Sequence, residues 1–254
     1  MSSQDITHEW PELERKVRAR TPARVLEGRV GGCYRTSTQL DLREAHAAAR
    51  DAVRTNLDME RQFGQGMIQR WGLFEVSSQA RTKDDYLLHP NLGRTFSEPS
   101  QDELRKRCSM KSDLQVAIGD GLSVTAVAAQ VPNLLPALCN GASALGWKVG
   151  HTFVIRHCRV GILNHIGEIL MPIIAVLLIG ERPGLATPES LSAYLAYRPR
   201  FGQTDADRNL VSNIHARGIG TADAADRILH FAKQMMKARC SGVQLTVEIA
   251  RLKE

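Results

Sequence analysis

A continuous apolar segment, IIAVLLI at residues 173–179, constrains the fold more than any other part of the sequence. Seven apolar residues without a charge are typical of a strand that is buried on both faces, as in a parallel sheet. The segment ends at a short charged loop, GERPG at residues 180–184. Because ligands of open α/β sheets bind at the carboxyl ends of the strands, Glu181 and Arg182 are predicted to lie at a functional edge. A solvent-exposed ion pair between these two side chains is the alternative interpretation.

Composition narrows the class of protein. The chain has 254 residues, of which 43% are hydrophobic and 24% charged, and this is ordinary for a globular protein that buries a core. Its longest apolar stretch, residues 169–179, contains Pro172 and is shorter than the roughly 20 residues that span a bilayer. The N-terminal residues lack the apolar segment of a secretory signal. We therefore expect a cytoplasmic protein with no membrane partner.

Charge and cysteine content exclude further classes. The formal net charge is +6, with basic clusters near the N-terminus and at residues 105–111. Nucleic-acid binding needs such clusters, but the aromatic content is only 5% and no recognised nucleic-acid motif is present. Solvated helix faces or an acidic partner explain the charge better, so we expect no nucleic-acid partner. Five separated cysteines without a C-x-x-C motif predict reduced thiols.

Helical and strand-like patterns alternate along the chain. Residues 1–57 are predicted as a small helical N-terminal domain and residues 58–254 as one α/β domain. The alternation is typical of βαβ units, so we expect a Rossmann-like, largely parallel sheet with flanking helices. Pro132 is predicted to break one helix, and residues 83–100 are predicted to form a loop. Strands are expected at 73–76, 114–118, 152–155, 173–179, 191–197 and, at an edge, 243–249; helices are expected at 59–71, 124–131, 132 to about 145, 161–170 and after 221.

Motifs of common enzyme classes are missing from the sequence. It contains no G-x-G-x-x-G, no Walker A, no H-E-x-x-H and no G-x-S-x-G pattern. A free-standing dinucleotide enzyme, kinase, zinc peptidase or hydrolase therefore has little support. A free-standing Rossmann-like enzyme that uses a nucleotide cofactor stays open as an alternative, and so does a scaffold protein without a ligand.

Several other motifs follow one another in a specific order. They include DGLS at residues 120–123, the pair Arg159-Val160 and the GERPG loop. Further segments lie at residues 166–170, 189–194, 197–200 and 204–215, with shorter ones at 21–25, 28–31, 49–53 and 86–93. In order and spacing, most densely from about residue 114 to residue 215, the chain resembles the small (light) subunit of ethanolamine ammonia-lyase, an adenosylcobalamin-dependent enzyme.

This resemblance implies an activity that two chains share. Homolysis of the cobalt–carbon bond gives the radical that takes hydrogen from ethanolamine, and the products are acetaldehyde and ammonia. In the family, substrate and radical chemistry belong to the large subunit, a TIM barrel, and the small subunit holds the lower face and tail of the cofactor. We therefore expect no catalytic residue here, and a hetero-oligomer of paired subunits that serves ethanolamine catabolism. Some relatives work in a bacterial microcompartment and carry a longer N-terminal extension, so targeting through this N-terminus is less expected.

The resemblance also implies three cofactor contacts. They are Val160, Glu181 and Leu210. Val160 also suits a simple core position, and Leu210 stands where some relatives have cysteine, so a contact through its main chain would be retained. Asp120 is a weaker candidate on the cofactor side. Glycine-containing loops that would let the backbone approach a flat corrin ring lie at residues 119–123 and 180–184.

None of the eight histidines is interpreted as a metal ligand. Many corrinoid-binding domains supply a cobalt ligand from Asp-x-His-x-x-Gly, and no histidine here follows an aspartate by two positions. The resemblance then implies that the cobalamin keeps its own dimethylbenzimidazole as lower ligand. His151, His157 and His165 are interpreted as surface or loop residues, and His215 as the donor or acceptor of a structural hydrogen bond near the site.

Overall fold

A mixed six-stranded sheet with helices on both faces forms the centre of the protein in the computed structural model, which describes residues 12–21 and 23–251. Two short strands near the N-terminus form a separate antiparallel ribbon. The strands are β1 (Arg29–Val30), β2 (Cys33–Tyr34), β3 (Glu75–Ser77), β4 (Leu114–Gly119), β5 (Phe153–Arg156), β6 (Ile174–Gly180), β7 (Leu191–Tyr197) and β8 (Asn209–Ile214). The helices are α1 (Glu12–Arg20), α2 (Thr36–Arg54), α3 (Met59–Trp71), α4 (Lys83–Leu88), α5 (Glu98–Arg107), α6 (Val124–Ala144), α7 (Ile162–Leu170), α8 (Thr221–Ala238) and α9 (Val243–Arg251).

The strand order of the central sheet is β3-β5-β4-β6-β7-β8. The first four strands in this order are parallel, whereas β7 is antiparallel to β6 and β8 is antiparallel to β7. The α/β class is confirmed, but the sheet is mixed because the segments after β6 and β7 are short returns without a crossover helix. A parallel connection needs a dozen or more residues, usually with a helix. The Rossmann-like topology stays a prediction.

The domain boundary between residues 57 and 58 also stays a prediction. Residues 1–11 of the expected N-terminal domain lie outside the described residues. The described part of that segment contains α1, the β1-β2 ribbon and α2. Among residues 12–21 and 23–251, no helix combines the length and apolar character that crossing a membrane requires.

Strand β6 separates the two hydrophobic cores. All seven of its residues are buried, which confirms the strand expected from the apolar segment. Ile174, Val176 and Leu178 pack with α3, α6 and α8, while the intervening Leu177 and Ile179 pack on the opposite face with α5 and α7. Side chains alternate across a strand, so an unbroken apolar run fits only a strand with helices on both sides.

Three sequence-based expectations are corrected by the structure. Helix α6 continues through Pro132, because burial of Val131 and Leu134 against the sheet offsets the lost hydrogen bond. The expected loop at residues 83–100 contains α4 and the start of α5, where a proline in the first turn is well tolerated. Residues 243–249 lie in a helix rather than in an edge strand.

Each of the last two errors has a local cause. Helix α4 has only six residues, too few for an apolar periodicity, and it begins with a capping box in which Thr82 and Asp85 bond reciprocally to the backbone. In α9, Val243 and Val247 lie four residues apart on the exposed side, while Leu245 is buried. This spacing imitates the alternation of a strand although the segment is helical.

The end of β6 and the loop after β4 touch through their backbones. A Cβ atom at Gly180 would overlap the carbonyl oxygen of Ser123, and one at Gly121 would overlap the carbonyl oxygen of Gly180. The Leu122 N–H donates to that same Gly180 oxygen at 3.1 Å. Only glycine at position 180 allows these two loops to approach so closely.

Replacing this glycine should therefore destabilise the fold. We expect Gly180→Ala to lower the free energy of unfolding by about 1–3 kcal/mol, because the added methyl group forces the two loops apart. Gly184→Ala, in the same loop but with no atom within 4 Å of the added Cβ, is the matched control and should be close to neutral. Urea denaturation measures both variants, and equal stabilities would show that the loops separate without cost.

Candidate functional site

A cavity of about 330 Å³ lies at the carboxyl ends of the parallel strands. The loops after β4, β5 and β6 form its walls, together with residues of β7, β8 and α4. Val160, Glu181 and Leu210 all line it, although 50 residues separate the first from the last in the sequence. The structure thus brings the three expected positions together, and their contact with a cofactor stays a prediction.

Glu181 is held by donors from the neighbouring strands. Its carboxylate accepts hydrogen bonds from Ser190 Oγ at 2.7 Å, Ser192 Oγ at 2.6 Å and the Asn213 N–H at 2.9 Å. In the described part of the chain it forms no ion pair with Arg182, so the interpretation as a solvated ion pair is wrong. A carboxylate has about four acceptor positions, so the fixed Glu181 can still accept from a ligand.

Val160 and Leu210 supply apolar walls to the cavity. Val160 follows β5, is half-buried and packs at the edge of the core between the sheet, α5 and α7. Leu210 lies on β8 opposite Tyr194, and its side chain is 44% exposed. A large exposed apolar side chain beside a cavity suits contact with an apolar ligand or a partner. Val160 therefore combines a core contact with a position on the cavity surface.

Asp120 fixes the loop that carries Val160. Its side chain is 1% exposed and accepts from the His157 N–H and the Cys158 N–H, each at 2.8 Å. Burial raises the pKa of the Asp120 carboxyl, and the Lys83 ammonium, 4.0 Å away, opposes that rise. The structure therefore gives Asp120 a positioning role between two loops rather than a direct place on the cavity wall.

Sequence reasoning missed Lys83, Tyr86 and Arg159 as parts of the site. Lys83 Nζ lies 5.0 Å from the centre of the Tyr86 ring, and the Arg159 guanidinium lies 4.2 Å from it. Burial lowers the pKa of Lys83, whereas Asp120 raises it. Lys83 was missed because its short helix was expected to be loop. Tyr86 and Arg159 had a signal, since Tyr86 begins the matching segment at residues 86–93 and Arg159 directly precedes Val160 in its motif.

Two histidines lie deeper than expected. His157 lies in a loop after β5, as expected, but is buried there with 5% exposure. His165 is buried within helix α7 with 9% exposure, so the surface or loop position expected for it is wrong. His157 Nδ1 is 2.9 Å from the Ala80 carbonyl oxygen, and His165 Nδ1 accepts from the Phe96 N–H at 3.0 Å. Both rings therefore connect segments of backbone, which a sequence pattern does not show.

The other two histidines also make structural contacts. His151 Nε2 is 2.8 Å from the Gly72 carbonyl oxygen. His215 Nε2 is 2.8 Å from Asn213 Oδ1, which confirms the expected structural hydrogen bond. Asn213 in turn donates through its N–H to Glu181, so His215 contacts the residue that fixes Glu181. Within the described ranges, no group of three His, Cys, Asp or Glu side chains is arranged to hold a metal ion.

Comparison with known proteins identifies the family. Residues 11–246 match the family model described as ethanolamine ammonia-lyase light chain. The chain belongs to this family. Among its curated relatives, the ethanolamine ammonia-lyase small subunit of Fusobacterium nucleatum is 40% identical over 230 residues, which cover 91% of this chain and 76% of the relative. The small subunit of Clostridium acetobutylicum is 37% identical over 232 residues, which cover 91% and 93%.

Membership makes this light chain a subunit of an ammonia-lyase. Relatives from Fusobacterium nucleatum and Clostridium perfringens are both named small subunit, and a small subunit implies a large one. The resemblance drawn from the sequence motifs is thus confirmed at the level of the family. The name does not assign the cavity to a ligand.

Breaking the pair beneath the cavity of the light chain should be costly. Asp120→Asn leaves the Lys83 ammonium buried without an opposite charge, so we expect a loss of about 3–5 kcal/mol of unfolding free energy. The double variant Asp120→Asn/Lys83→Met removes the orphaned charge and should recover part of that loss. Chemical denaturation of both variants and of Lys83→Met completes a double-mutant cycle for the pair. A loss in the double variant equal to the sum of the losses in Asp120→Asn and Lys83→Met would show that the pair is not coupled.

Acid should destabilise the light chain through His165. Burial, and then Arg105, lower the pKa of His165, so the unfolded state, whose histidine pKa is near 6.5, binds the proton more readily. This contribution to stability is present above about pH 6.5 and is lost as pH falls, with a slope of at most about 1.4 kcal/mol per pH unit.

Unfolding free energies measured from pH 7.5 to pH 5 test this titration. His165→Asn removes the titrating ring and keeps an acceptor near Nδ1, so its stability should fall less steeply with acid. The control His89→Asn changes an exposed histidine and should keep the wild-type slope. A wild-type slope in His165→Asn would show that other groups cause the acid sensitivity.

Proposed function

We propose that this light chain binds adenosylcobalamin at an interface with the large subunit of ethanolamine ammonia-lyase, the enzyme that converts ethanolamine to acetaldehyde and ammonia. The observation that carries the proposal is the single cavity that collects Val160 and Glu181 from the loops after β5 and β6, and Leu210 from strand β8. Family membership supports the choice of cofactor, since the family's chemistry is adenosylcobalamin-dependent.

The cavity has the mixed surface that a corrinoid needs. Val160, Ile179 and Leu210 offer apolar contact, while Glu181 and Ser192 offer polar atoms for amide side arms or hydroxyl groups. Burial raises the pKa of the nearby Cys158 thiol, so this side chain stays uncharged. The residues present therefore fit a large ligand with a flat apolar body and a polar periphery.

The size of the cavity supports an interface between two chains. Its volume of about 330 Å³ lies at the lower end of the range for drug-sized ligands. A corrinoid is larger than such ligands, so this chain alone covers one part of it. The exposed side chain of Leu210, at the rim, suits continuation of the contact onto a partner. The large subunit then covers the remaining part.

The side chains of this cavity orient the ligand and take no part in the reaction. Glu181 is already bonded to three donors, which suits a fixed acceptor better than a group that transfers a proton. Val160 and Leu210 exclude water from the surface that they cover. When bound, adenosylcobalamin supplies the radical chemistry, and we place the substrate site and that chemistry on the large subunit. This chain then contributes no catalytic residue.

Finer assignments belong to the same proposal. We infer that the chain divides after residue 57 into a small helical N-terminal domain and a Rossmann-like domain that binds the cobalamin. The light and large chains assemble as a hetero-oligomer of paired subunits. Ethanolamine catabolism then takes place in the cytoplasm or inside a bacterial microcompartment.

Reconstitution tests the division of labour. We expect the purified light chain to show no lyase activity, and the mixture with a large subunit and adenosylcobalamin to release acetaldehyde. Full turnover by the light chain alone would contradict the proposal. A thermal-shift panel gives a second check, because stabilisation of the lone chain by NAD(P) or ATP, with cobalamin and the large subunit inert, would indicate a nucleotide enzyme instead.

Glu181 offers the sharpest test of the cavity itself. Glu181→Ala should weaken cobalamin binding to the assembled complex by about 1–3 kcal/mol, because a buried hydrogen bond to the ligand is lost. Glu189→Ala removes an exposed carboxylate from the same connection and is the control. Equilibrium dialysis with cobalamin measures both affinities, and an unchanged value for Glu181→Ala would remove this residue from the site.

A further inference from the structure

Glu181 receives one of its three donors from an irregular point of strand β8. Between Val211 and Ile214, β8 contains one more residue than the paired part of β7, so its backbone forms a β-bulge. Asn213 lies in this bulge, and its backbone is left-handed with a φ of 62°. Bulges redirect groups next to functional sites, and this bulge places the Asn213 N–H 2.9 Å from the Glu181 carboxylate.

The turn after β8 holds Asn213 in this conformation. His215 Nε2 lies 2.8 Å from Asn213 Oδ1, and the Ile219 N–H donates to the Asn213 carbonyl oxygen at 2.9 Å. His215 Nδ1 accepts from the Arg217 N–H at 3.2 Å, so the ring proton is on Nε2 and is donated to Asn213. A left-handed residue other than glycine persists only where its surroundings fix it, so Asn213 depends on this turn.

Arg217 links this turn to the N-terminal segment. Its Nη2 donates to the Thr21 carbonyl oxygen at 2.8 Å, and 196 positions separate the two residues in the sequence. Its backbone N–H donates to His215 on the other side. One residue therefore connects the N-terminal segment with the ring that fixes Asn213.

A second contact of the N-terminal segment reaches the loop that carries Glu181. Arg24 Nε donates to the Leu185 carbonyl oxygen at 3.4 Å. Leu185 follows Glu181 in the same connection between β6 and β7. This hydrogen bond is long and therefore weak, but it places the N-terminal segment against both loops next to Glu181. We call Thr21 and Arg24 the N-terminal clasp.

Neither core packing nor the ligand cavity accounts for the clasp. Thr21 and Arg24 belong to the segment at residues 21–25, one of the motifs on which the family resemblance rests. Arg24 is exposed and Thr21 is half-buried, and neither lines the cavity that contains Glu181. Their contacts with the two loops therefore give this motif a structural role.

We propose that the N-terminal clasp positions Glu181 for the cofactor, with Arg217 as the main positioning residue. This inference rests on the proposed function. The clasp does not touch the ligand and acts through the backbone of the bulge. Without it, the turn loosens and the Asn213 N–H spends less time on Glu181. The carboxylate then loses its fixed orientation and binds the cofactor less tightly.

The affinity for cobalamin measures the effect of the clasp. The complex with the large subunit is dialysed against cyanocobalamin. We expect Arg217→Gln to bind about three- to tenfold more weakly than wild type, because one hydrogen bond of the series is lost. Arg24→Gln/Arg217→Gln removes both contacts of the clasp and should bind more weakly still. Arg217→Lys keeps a donor for the Thr21 carbonyl oxygen and should recover part of the affinity.

A double-mutant cycle shows whether the effect passes through Glu181. In Glu181→Ala the carboxylate that the turn orients is absent, so adding Arg217→Gln should change the affinity by less than about twofold. A merely structural role would lower the affinity by the same factor in both backgrounds, and this result would overturn the inference. The control Arg227→Gln removes an exposed arginine of α8 and should keep the wild-type affinity.

Amide hydrogen exchange in the lone light chain separates the inference from the proposed function. The Asn213 N–H should exchange faster in Arg217→Gln than in wild type, while the N–H of Leu177 in β6 keeps its rate. Equal exchange at Asn213 in both proteins would overturn the inference. Failure of the wild-type complex to bind cyanocobalamin would instead overturn the proposed function, even where exchange at Asn213 still depends on Arg217.

Discussion

The buried carboxylate of Asp120 is the interaction on which the rest of the site depends. It bonds to two consecutive backbone N–H groups after β5 and lies near the ammonium of Lys83. These contacts connect the ends of β4 and β5 with helix α4. Because the carboxylate is fully enclosed, solvent cannot replace the donors that it would lose. The positions of Arg159 and Val160, one or two residues further on, follow from this anchor.

The parallel strands and the antiparallel strands of the sheet form different parts of the cavity wall. The four parallel strands place the loops after β4, β5 and β6 at one edge, which is the usual location of ligands in α/β proteins. The antiparallel strands β7 and β8 then return along the same edge and supply Ser192 and Leu210. Glu181 bonds to donors next to or within both strands, so one side chain joins the two halves of the wall.

The sequence predicted the parts of this design that depend on local patterns. The apolar run at residues 173–179 specified a strand buried on both faces, and the order of motifs indicated the family before any comparison. The position of Lys83 could not be predicted, because its helix has only six residues and is too short to show an apolar periodicity. The prediction that Pro132 breaks a helix was wrong, because burial of helix α6 outweighs the local tendency of proline to end a helix. The antiparallel direction of β7 could have been predicted, because the expected strands at 173–179 and 191–197 leave a connection too short for a parallel crossover.

The walls of the 330 Å³ cavity come from segments between Tyr86 and Ser212. A molecule seated there would touch helix α4, the loops after β4, β5 and β6, and strands β7 and β8 at once. Occupancy would then favour the native state as a whole, through the thermodynamic linkage of binding to folding, rather than stiffening one loop. Under the proposed function, cofactor supply in the cell would in this way influence how long the folded light chain persists, independently of any effect on turnover.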